Sequence, residues 1–192
     1  MIGYLVLFLF LAAVVYLLFR THKPRKEELI EGTEPELNLY GLDWPAVEAR
    51  FPYKREISKI TIGTANFLER ERDVFEVYPP MVNPYAFALA VRQAEGGRAG
   101  REFGVMHKDA LDTDFETQME WFLLTFRNDT RRWHQDKLIH VGGRTRKDFV
   151  DFTAYFSAKY APPGGVANDP NNLNRHHEGN IRRFYNLYRK GA

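Results

Sequence analysis

The feature that most constrains this chain is an apolar segment, residues 2–19, that contains no charged side chain. As a helix rising about 1.5 Å per residue it would be about 27 Å long, close to the bilayer hydrocarbon thickness of about 30 Å. A cleaved signal peptide is the alternative, but no Lys or Arg precedes the segment and no small-x-small cleavage site follows it. The sequence therefore predicts a single transmembrane helix over residues 1–20.

The charges beside this segment predict its orientation. Arg20, Lys23, Arg25 and Lys26 all follow the segment, and no basic residue precedes it. Basic residues that flank a membrane helix tend to stay on the cytoplasmic side. We therefore expect a membrane protein that crosses the bilayer once and holds its folded part on the cytoplasmic side.

Composition limits what the rest of the chain can be. The 192 residues suffice for one domain with a core. A net charge of +2 gives no strong attraction to nucleic acid, so no nucleic-acid partner is expected. There is no cysteine, which excludes disulfides and Cys-ligated metals. The histidines show no HExxH spacing, and the adjacent His176 and His177 would point apart, so we expect no metal and no cofactor.

The chain after the apolar segment divides into a tether and a folded domain. The sequence of residues 21–55 predicts a tether and lead-in. Residues 27–36 are acidic, and prolines interrupt the segment. Residues 56–67 carry a β-branched pattern that predicts a short strand, and residues 73–78 predict a second one. The soluble domain is therefore expected to span residues 56–192 and to begin with these strands.

Helices are predicted for the remainder of the domain. One runs from Asn83 to Glu95: asparagine caps a first turn, the following proline suits the first helical position, and two glycines end the helix. Thr113 begins a capping-box pattern and predicts a second helix. Apolar residues at helical spacing predict two more, at residues 145–160 and 181–188.

Glu95 is the residue that predicts chemistry. It ends the first of these helices, and Phe87 and Val91 precede it on the same helical face. Burial beside that apolar face and the negative end of the helix both raise the pKa of a carboxyl group. A carboxyl that stays protonated near neutral pH can act as general acid on a glycosidic oxygen. An exposed glutamate that happens to end a helix is the alternative interpretation.

Several short motifs occur in a characteristic order between residues 83 and 188. Residues 90–97 end a helix in a glutamate followed by small residues, residues 104–107 read Gly-Val-Met-His, and a capped helix follows at residues 113–126. This order resembles lysozyme-like muramidases, goose-type lysozymes and lytic transglycosylases, in which a Gly-Leu-Met-Gln-like strand follows the catalytic glutamate. Residues 160–181 are similar to the C-terminal segment of glucosaminidase- and muramidase-type domains. The resemblance implies a mainly α, lysozyme-like α+β fold with a small β-region.

This resemblance also implies a substrate and a set of site residues. The substrate is the glycan strand of peptidoglycan, Glu95 is the acid, and Tyr160 lines or orients the site. Met106, His107 and Gln118 are further candidates for substrate contacts, with His107 standing where glutamine is usual. Core packing is an equal alternative for Tyr160, and a plain surface position is one for His107.

The mechanism depends on whether a second carboxylate faces the substrate. Retaining glycosidases hold two carboxyl groups about 5 Å apart, and inverting ones hold them roughly 6.5–9.5 Å apart. Asp109, Asp112, Asp114 and Glu116 are the downstream candidates, although acids also favour a helix N-terminus. Lytic transglycosylases need a single acid/base, because a hydroxyl of the sugar itself attacks. The sequence leaves these routes open.

Two functions are consistent with these features. The first is a membrane-anchored glycosidase or lytic transglycosylase that opens the wall locally during bacteriophage entry or exit. A cytoplasmic orientation conflicts with action on the wall, unless the bilayer is the internal membrane of a virion. The second is a non-catalytic single-pass protein of a membrane-containing virion or a bacterial envelope, which binds glycan or virion proteins. A fold of this kind does not by itself establish activity.

Overall fold

Helices make up most of the described structure. The computed structural model describes residues 40–135, 144–162 and 173–191, which all lie in one compact unit, Pro35–Ala192; the other unit, Met1–Glu34, lies outside the described residues. The α-helices of the described part are α1 (Trp44–Arg50), α2 (Ile57–Arg70), α3 (Arg72–Val77), α4 (Pro84–Glu95), α5 (Phe115–Gln135), α6 (Phe152–Tyr160) and α7 (His177–Tyr188). Short 3-10 helices occur at Lys54–Glu56, Arg146–Asp148 and Leu173–His176.

Helix α4 lies at the centre of the core. Every residue from 86 to 92 is buried, and α7 packs along α4 more extensively than any other described helix. Phe87 of α4 meets aromatic rings from three other helices at centroid distances of 5.1 to 6.2 Å: Phe126, Phe152, Phe156 and Tyr185. Full burial of such a side chain contributes about 1.5–3 kcal/mol, so this aromatic cluster is a main source of stability.

Capping residues set both ends of α4. The Asn83 side chain accepts hydrogen bonds from the N–H groups of Tyr85 and Ala86, both at 3.0 Å. Gly96 follows the helix in left-handed backbone with a φ of +59°, a conformation that glycine adopts without steric cost. The helix predicted from Asn83 to Glu95 is therefore confirmed.

The first predicted strand is wrong, because its residues form α2. The buried residues of α2 recur at helical spacing: Ile60, Thr61, Thr64 and Phe67. Thr61 also donates its hydroxyl to the Ile57 carbonyl 3.0 Å away, a bond that the helical turn makes available. Burial of this face outweighs the weak preference of β-branched residues for strands. The second predicted strand is wrong for the same reason: α3 buries Phe75 against the core.

The predicted fold class is corrected in two respects. The described residues contain no strand, and the bridge between Leu42 and Arg189 is isolated, so the expected α+β arrangement is wrong while its mainly α part is confirmed. Residues 104–107 form a loop because the Gln118 side chain takes the backbone hydrogen bonds of Val105 that a neighbouring strand would need.

The predicted transmembrane helix is not part of this structure either. No helix in the described ranges is long and apolar enough to cross a bilayer, and residues 2–19 lie outside those ranges.

The later helices agree with the prediction except at their starts. Helix α5 begins after Asp114, whose carboxylate accepts from the Thr117 N–H at 2.7 Å, whereas the predicted cap Thr113 donates to a carbonyl of the preceding loop. Helix α6 begins at Phe152 because Asp151 caps it, and the turn near residue 145 is a separate 3-10 helix. The last predicted helix is confirmed as α7.

Residues 40–55, which the sequence analysis placed in the tether, pack into the domain. Three of their side chains are almost fully buried: Leu42, Val47 and Phe51. The Asp43 N–H donates to the Tyr188 carbonyl at 2.8 Å, which joins this segment to the end of α7. The folded part therefore begins well before residue 56.

Replacing Asn83 tests the cap of α4. Asn83→Ala deletes the acceptor for two N–H groups. It also deletes the hydrogen bond that the side-chain amide of Asn83 donates to the Tyr40 carbonyl at 2.8 Å. We expect the free energy of unfolding to fall by about 2 kcal/mol in urea denaturation of the full chain. Asn66→Ala, at an exposed position of α2, is the matched control and should change it by less than about 0.5 kcal/mol. Equal stability of the two variants would contradict this role of Asn83.

Candidate active site

Glu95 is the last residue of α4, and its carboxyl group is held by a histidine from another helix. Glu95 Oε1 lies 2.7 Å from Nε2 of His177, the first residue of α7. The Glu95 side chain is 19% exposed, whereas that of His177 is 6% exposed. The carboxyl therefore stands at the edge of the core, with its histidine partner on the inner side.

The second oxygen of the Glu95 carboxyl, Oε2, lies beside glycine backbone. A Cβ atom on Gly104 would lie 2.2 Å from Glu95 Oε2, and Gly104 has a φ of +68°. A Cβ atom on Gly97 would lie 1.6 Å from the Arg101 carbonyl oxygen. The loop between these two glycines therefore folds tightly against the end of α4, and side chains at these positions would push it away from Glu95.

His177 also contacts a serine, which extends the hydrogen-bonded chain into the core. Its Nδ1 lies 2.7 Å from the Ser157 hydroxyl oxygen, and both residues are buried. If the serine hydroxyl donates to Nδ1, the ring proton is on Nε2 and points at Glu95. This tautomer suits either protonation state of Glu95, because Oε1 accepts from Nε2–H in the carboxylate and, with the proton on Oε2, in the acid.

Tyr160 covers His177 and completes the site. Its ring stacks on the imidazole with centroids 6.0 Å apart and planes inclined by 14°, and its hydroxyl donates to the Phe103 carbonyl. Burial raises the pKa of the Tyr160 hydroxyl well above 10.0, and the nearby Glu95 charge raises it further. Tyr160 is therefore a neutral donor that connects the loop before Gly104 to α6.

Arg92, in the last turn of α4, is held by contacts with residues outside that helix. It is 2% exposed and forms two hydrogen bonds to the Glu56 carboxylate, at 2.6 and 3.0 Å. The guanidinium carbon lies 3.6 Å from the centre of the Tyr53 ring, and a third bond reaches the Glu102 carbonyl at 3.3 Å. A buried guanidinium is costly unless it is paired, so these contacts lock the segment that carries Glu95.

Gln118, a predicted substrate contact, is inaccessible in this structure. Its side chain is fully buried in α5. The amide nitrogen donates to the carbonyls of Val105 and Ala110 at 3.1 and 2.6 Å, and the amide oxygen accepts from the Val105 N–H at 3.3 Å. Gln118 therefore positions the loop that follows Gly104 instead of facing solvent.

Met106 and His107 lie on the surface of that same loop. Met106 is 53% exposed, and His107 stacks on Trp121 of α5 with ring centroids 3.9 Å apart. No hydrogen bond, ion pair or ring contact joins either side chain to Glu95 or Tyr160 among the described residues. The structure thus brings Glu95 and Tyr160 together around His177, and it places Met106 and His107 further along the loop.

Three of the four downstream acids are hydrogen-bonded to partners other than Glu95. The hydrogen bond from Arg101 lowers the pKa of Asp112, and a bond from the Lys59 ammonium lowers that of Glu116. Asp114 caps α5, and an oxygen of Asp109 lies 3.6 Å from a ring nitrogen of His107. None of the four is therefore held against the Glu95 carboxyl.

Two residues that hold the Glu95 carboxyl, His177 and Ser157, were not predicted as site residues from the sequence. His177 was considered only as a metal ligand, and Ser157 was not considered. A signal for His177 was present, because it precedes the core residue Ile181 by one helical turn and so lies on the buried face of α7. No comparable signal identifies Ser157, whose importance depends on how α6 packs against α7.

Comparison with known proteins gives no family for this chain. No family model matches it, and no curated protein or solved structure is significantly similar to it. Within the described ranges, no group of three or more histidine, aspartate or glutamate residues could hold a metal ion. The Glu95 site is thus the starting point for any assignment of function.

Alkaline titration tests the environment of Tyr160. Folding favours its neutral form, so the stability that it contributes is fully present below pH 10 and is lost as the pH rises above 10.0 toward the raised pKa of the folded protein. Tyr160→Phe removes the hydrogen bond to the Phe103 carbonyl. Its free energy of unfolding at pH 8 should therefore be about 1 kcal/mol lower than that of the natural chain. Between pH 10 and 11 its unfolding free energy should fall less steeply than that of the natural chain, in urea denaturation at each pH. Parallel profiles would contradict a Tyr160 that folding keeps neutral.

Proposed function

We propose that this protein cleaves the glycan strand of peptidoglycan, as a glycosidase or a lytic transglycosylase, with Glu95 as general acid. The observation that carries the proposal is the paired environment of the Glu95 carboxyl. One oxygen is held by a buried histidine, and the other faces a glycine loop at the edge of the core. A glycosidic oxygen requires such a positioned, partly shielded acid.

The proton transfer follows from the histidine tautomer. With Nε2–H of His177 donating to Oε1, the acidic proton of Glu95 is placed on Oε2, the oxygen on the Gly104 side. Transfer of that proton to the glycosidic oxygen leaves a carboxylate, and the same Nε2–H still donates to it. Glu95 can then act as base in the following step without any change at His177.

A mechanism with a single acid/base fits the site better than one with two carboxylates. Asp112 is bonded to Arg101, Glu116 to Lys59 and Asp114 to the N-terminus of α5, and no hydrogen bond or ion pair joins Asp109 to Glu95 among the described residues. In the single-acid route Glu95 protonates the leaving oxygen and then deprotonates the attacking hydroxyl, which belongs to the sugar itself in a lytic transglycosylase. This route therefore requires no residue beyond the Glu95 group.

A non-catalytic binding protein is the second candidate function, and one observation favours it. If His177 is protonated, its 2.7 Å contact with Glu95 is an ion pair that joins α4 to α7. Removal of one partner from a largely buried pair is strongly destabilising. In that case Glu95 is ionised and serves the fold, and the protein binds glycan or other proteins without cleaving them.

Replacement of Glu95 separates these two functions. We expect the full chain to clear purified peptidoglycan in a zymogram, and Glu95→Gln to reduce the rate at least about 100-fold while remaining folded. Glu48→Gln, which removes a carboxylate from an exposed position of α1, is the control and should retain full activity. Mass spectra of the fragments would identify the bond cut. A folded natural chain that clears nothing would exclude the enzyme, and clearing by Glu95→Gln would exclude Glu95 as the acid.

Replacement of His177 tests whether it positions Glu95. His177→Leu removes the N–H donor to Oε1, and we expect kcat to fall about tenfold to a hundredfold with little change in KM. His177→Gln can still present an amide N–H to that oxygen, and it should recover part of the lost kcat. Equal kcat values in the two variants, or a loss that follows only the fraction of folded protein in circular dichroism, would assign His177 to the fold alone.

A further inference from the structure

A surface groove distinct from the Glu95 contacts is lined by two arginines. The arginine groove consists of Arg50 at the end of α1, Gln93 of α4, and three residues of α7: Arg183, Phe184 and Leu187. Its volume is about 520 Å³, within the range of roughly 300–1,000 Å³ that small-molecule sites occupy. None of its lining residues takes part in the hydrogen bonds that link Glu95, His177 and Ser157.

The polar groups of this groove are hydrogen-bond donors. Arg50 and Arg183 contribute guanidinium groups, and no acidic side chain occurs among the described residues that line the groove. Gln93 accepts a hydrogen bond from the Tyr188 hydroxyl through its amide oxygen. This bond leaves the amide nitrogen of Gln93 as the end that can donate to a ligand.

The charges of both arginines act on the Tyr188 hydroxyl, which donates a hydrogen bond to Gln93. Burial raises the pKa of Tyr188 to about 12, and the positive charges of Arg183 and Arg50 act against that rise. Like charges that line one groove repel each other and are stabilised by an anion between them.

Arg182, the residue before Arg183 in α7, is paired with carboxylates. Arg182 forms two hydrogen bonds to Asp151, at 2.6 and 2.8 Å, and one to Glu178 at 2.9 Å. Arg183 contacts no carboxylate among the described residues and instead lies over the Phe184 ring, 4.5 Å from its centre. Both arginines are exposed to solvent. Arg50 ends α1, where a cation is favoured in any case, whereas Arg183 lies within α7.

We propose that the arginine groove binds an anionic group, a carboxylate or a phosphate, of a small ligand or of a polymer side group. Guanidinium groups match the oxygens of both anions. The Gln93 amide adds a third donor, and Phe184 with Leu187 supplies an apolar wall for the rest of the ligand. Anion binding in the arginine groove does not depend on cleavage by Glu95. Experiments can therefore contradict either proposal without contradicting the other.

Calorimetric titration of the full chain with two anions tests this site. Pyrophosphate represents phosphate ligands and citrate represents carboxylate ligands, both at constant ionic strength. We expect saturable binding of at least one of them at one site per chain. Arg50→Gln and Arg183→Gln should each weaken it about tenfold to a hundredfold, because each removes a charge-assisted hydrogen bond. Gln93→Glu should abolish binding by repulsion, while its carboxylate still accepts from Tyr188.

Arg55→Gln is the matched control, since Arg55 is exposed and lies outside the groove. It loses the same charge and should change the affinity less than about twofold. Circular dichroism of all variants should match that of the natural chain. Failure of both anions to bind saturably would overturn the proposal, and so would equal weakening by Arg55→Gln, which would indicate attraction to net charge only. Preference for pyrophosphate or for citrate would identify the ligand class.

Discussion

The structure depends on the burial of α4 on every side. Alanines at alternate positions, Ala86, Ala88 and Ala90, let neighbouring helices approach its backbone, and larger side chains between them fill the space around it. A helix enclosed in this way cannot shift along its axis without opening cavities, each of which costs stability in proportion to its volume. The place where α4 ends is therefore set by the core. Because Glu95 is its last residue, the core also sets the position of the carboxyl group.

The loop after α4 is held by side chains instead of by regular secondary structure. Gln118 bonds to three backbone groups of the loop, Tyr160 bonds to the Phe103 carbonyl, and the buried Glu102 carboxylate accepts from the Gly100 N–H at 3.1 Å. Buried backbone groups need partners, and here the partners come from α5, α6 and the loop itself. The glycines at 97 and 104 leave room for this arrangement, so the loop can follow the Glu95 carboxyl closely.

Sequence reasoning succeeded where local signals decide the structure and failed where packing decides it. Asn83 and the glycines after Glu95 act within one helical turn, so the ends of α4 could be predicted. The β-branched residues of α2 also gave a local signal, but the burial of Ile60 and Phe67 overrode it. The burial of Gln118 beneath the loop and the contact of His177 with Glu95 could not be predicted, because both depend on which helices meet at the end of α4. A single sequence does not show that.

The asymmetry between Glu95 and His177 bears on whether their contact serves catalysis or only the fold. A purely structural pair gains most when both charges are shielded from water, since exposure weakens their attraction. Here the histidine is buried and fixed by Ser157 and Tyr160, whereas the carboxyl retains about three times the exposed fraction, 19% against 6%. The imidazole that orients the carboxyl thus lies in the core, and the carboxyl that would react lies at the edge of the core. That division is what a general acid requires, because its second oxygen must reach a substrate while the first is held in place.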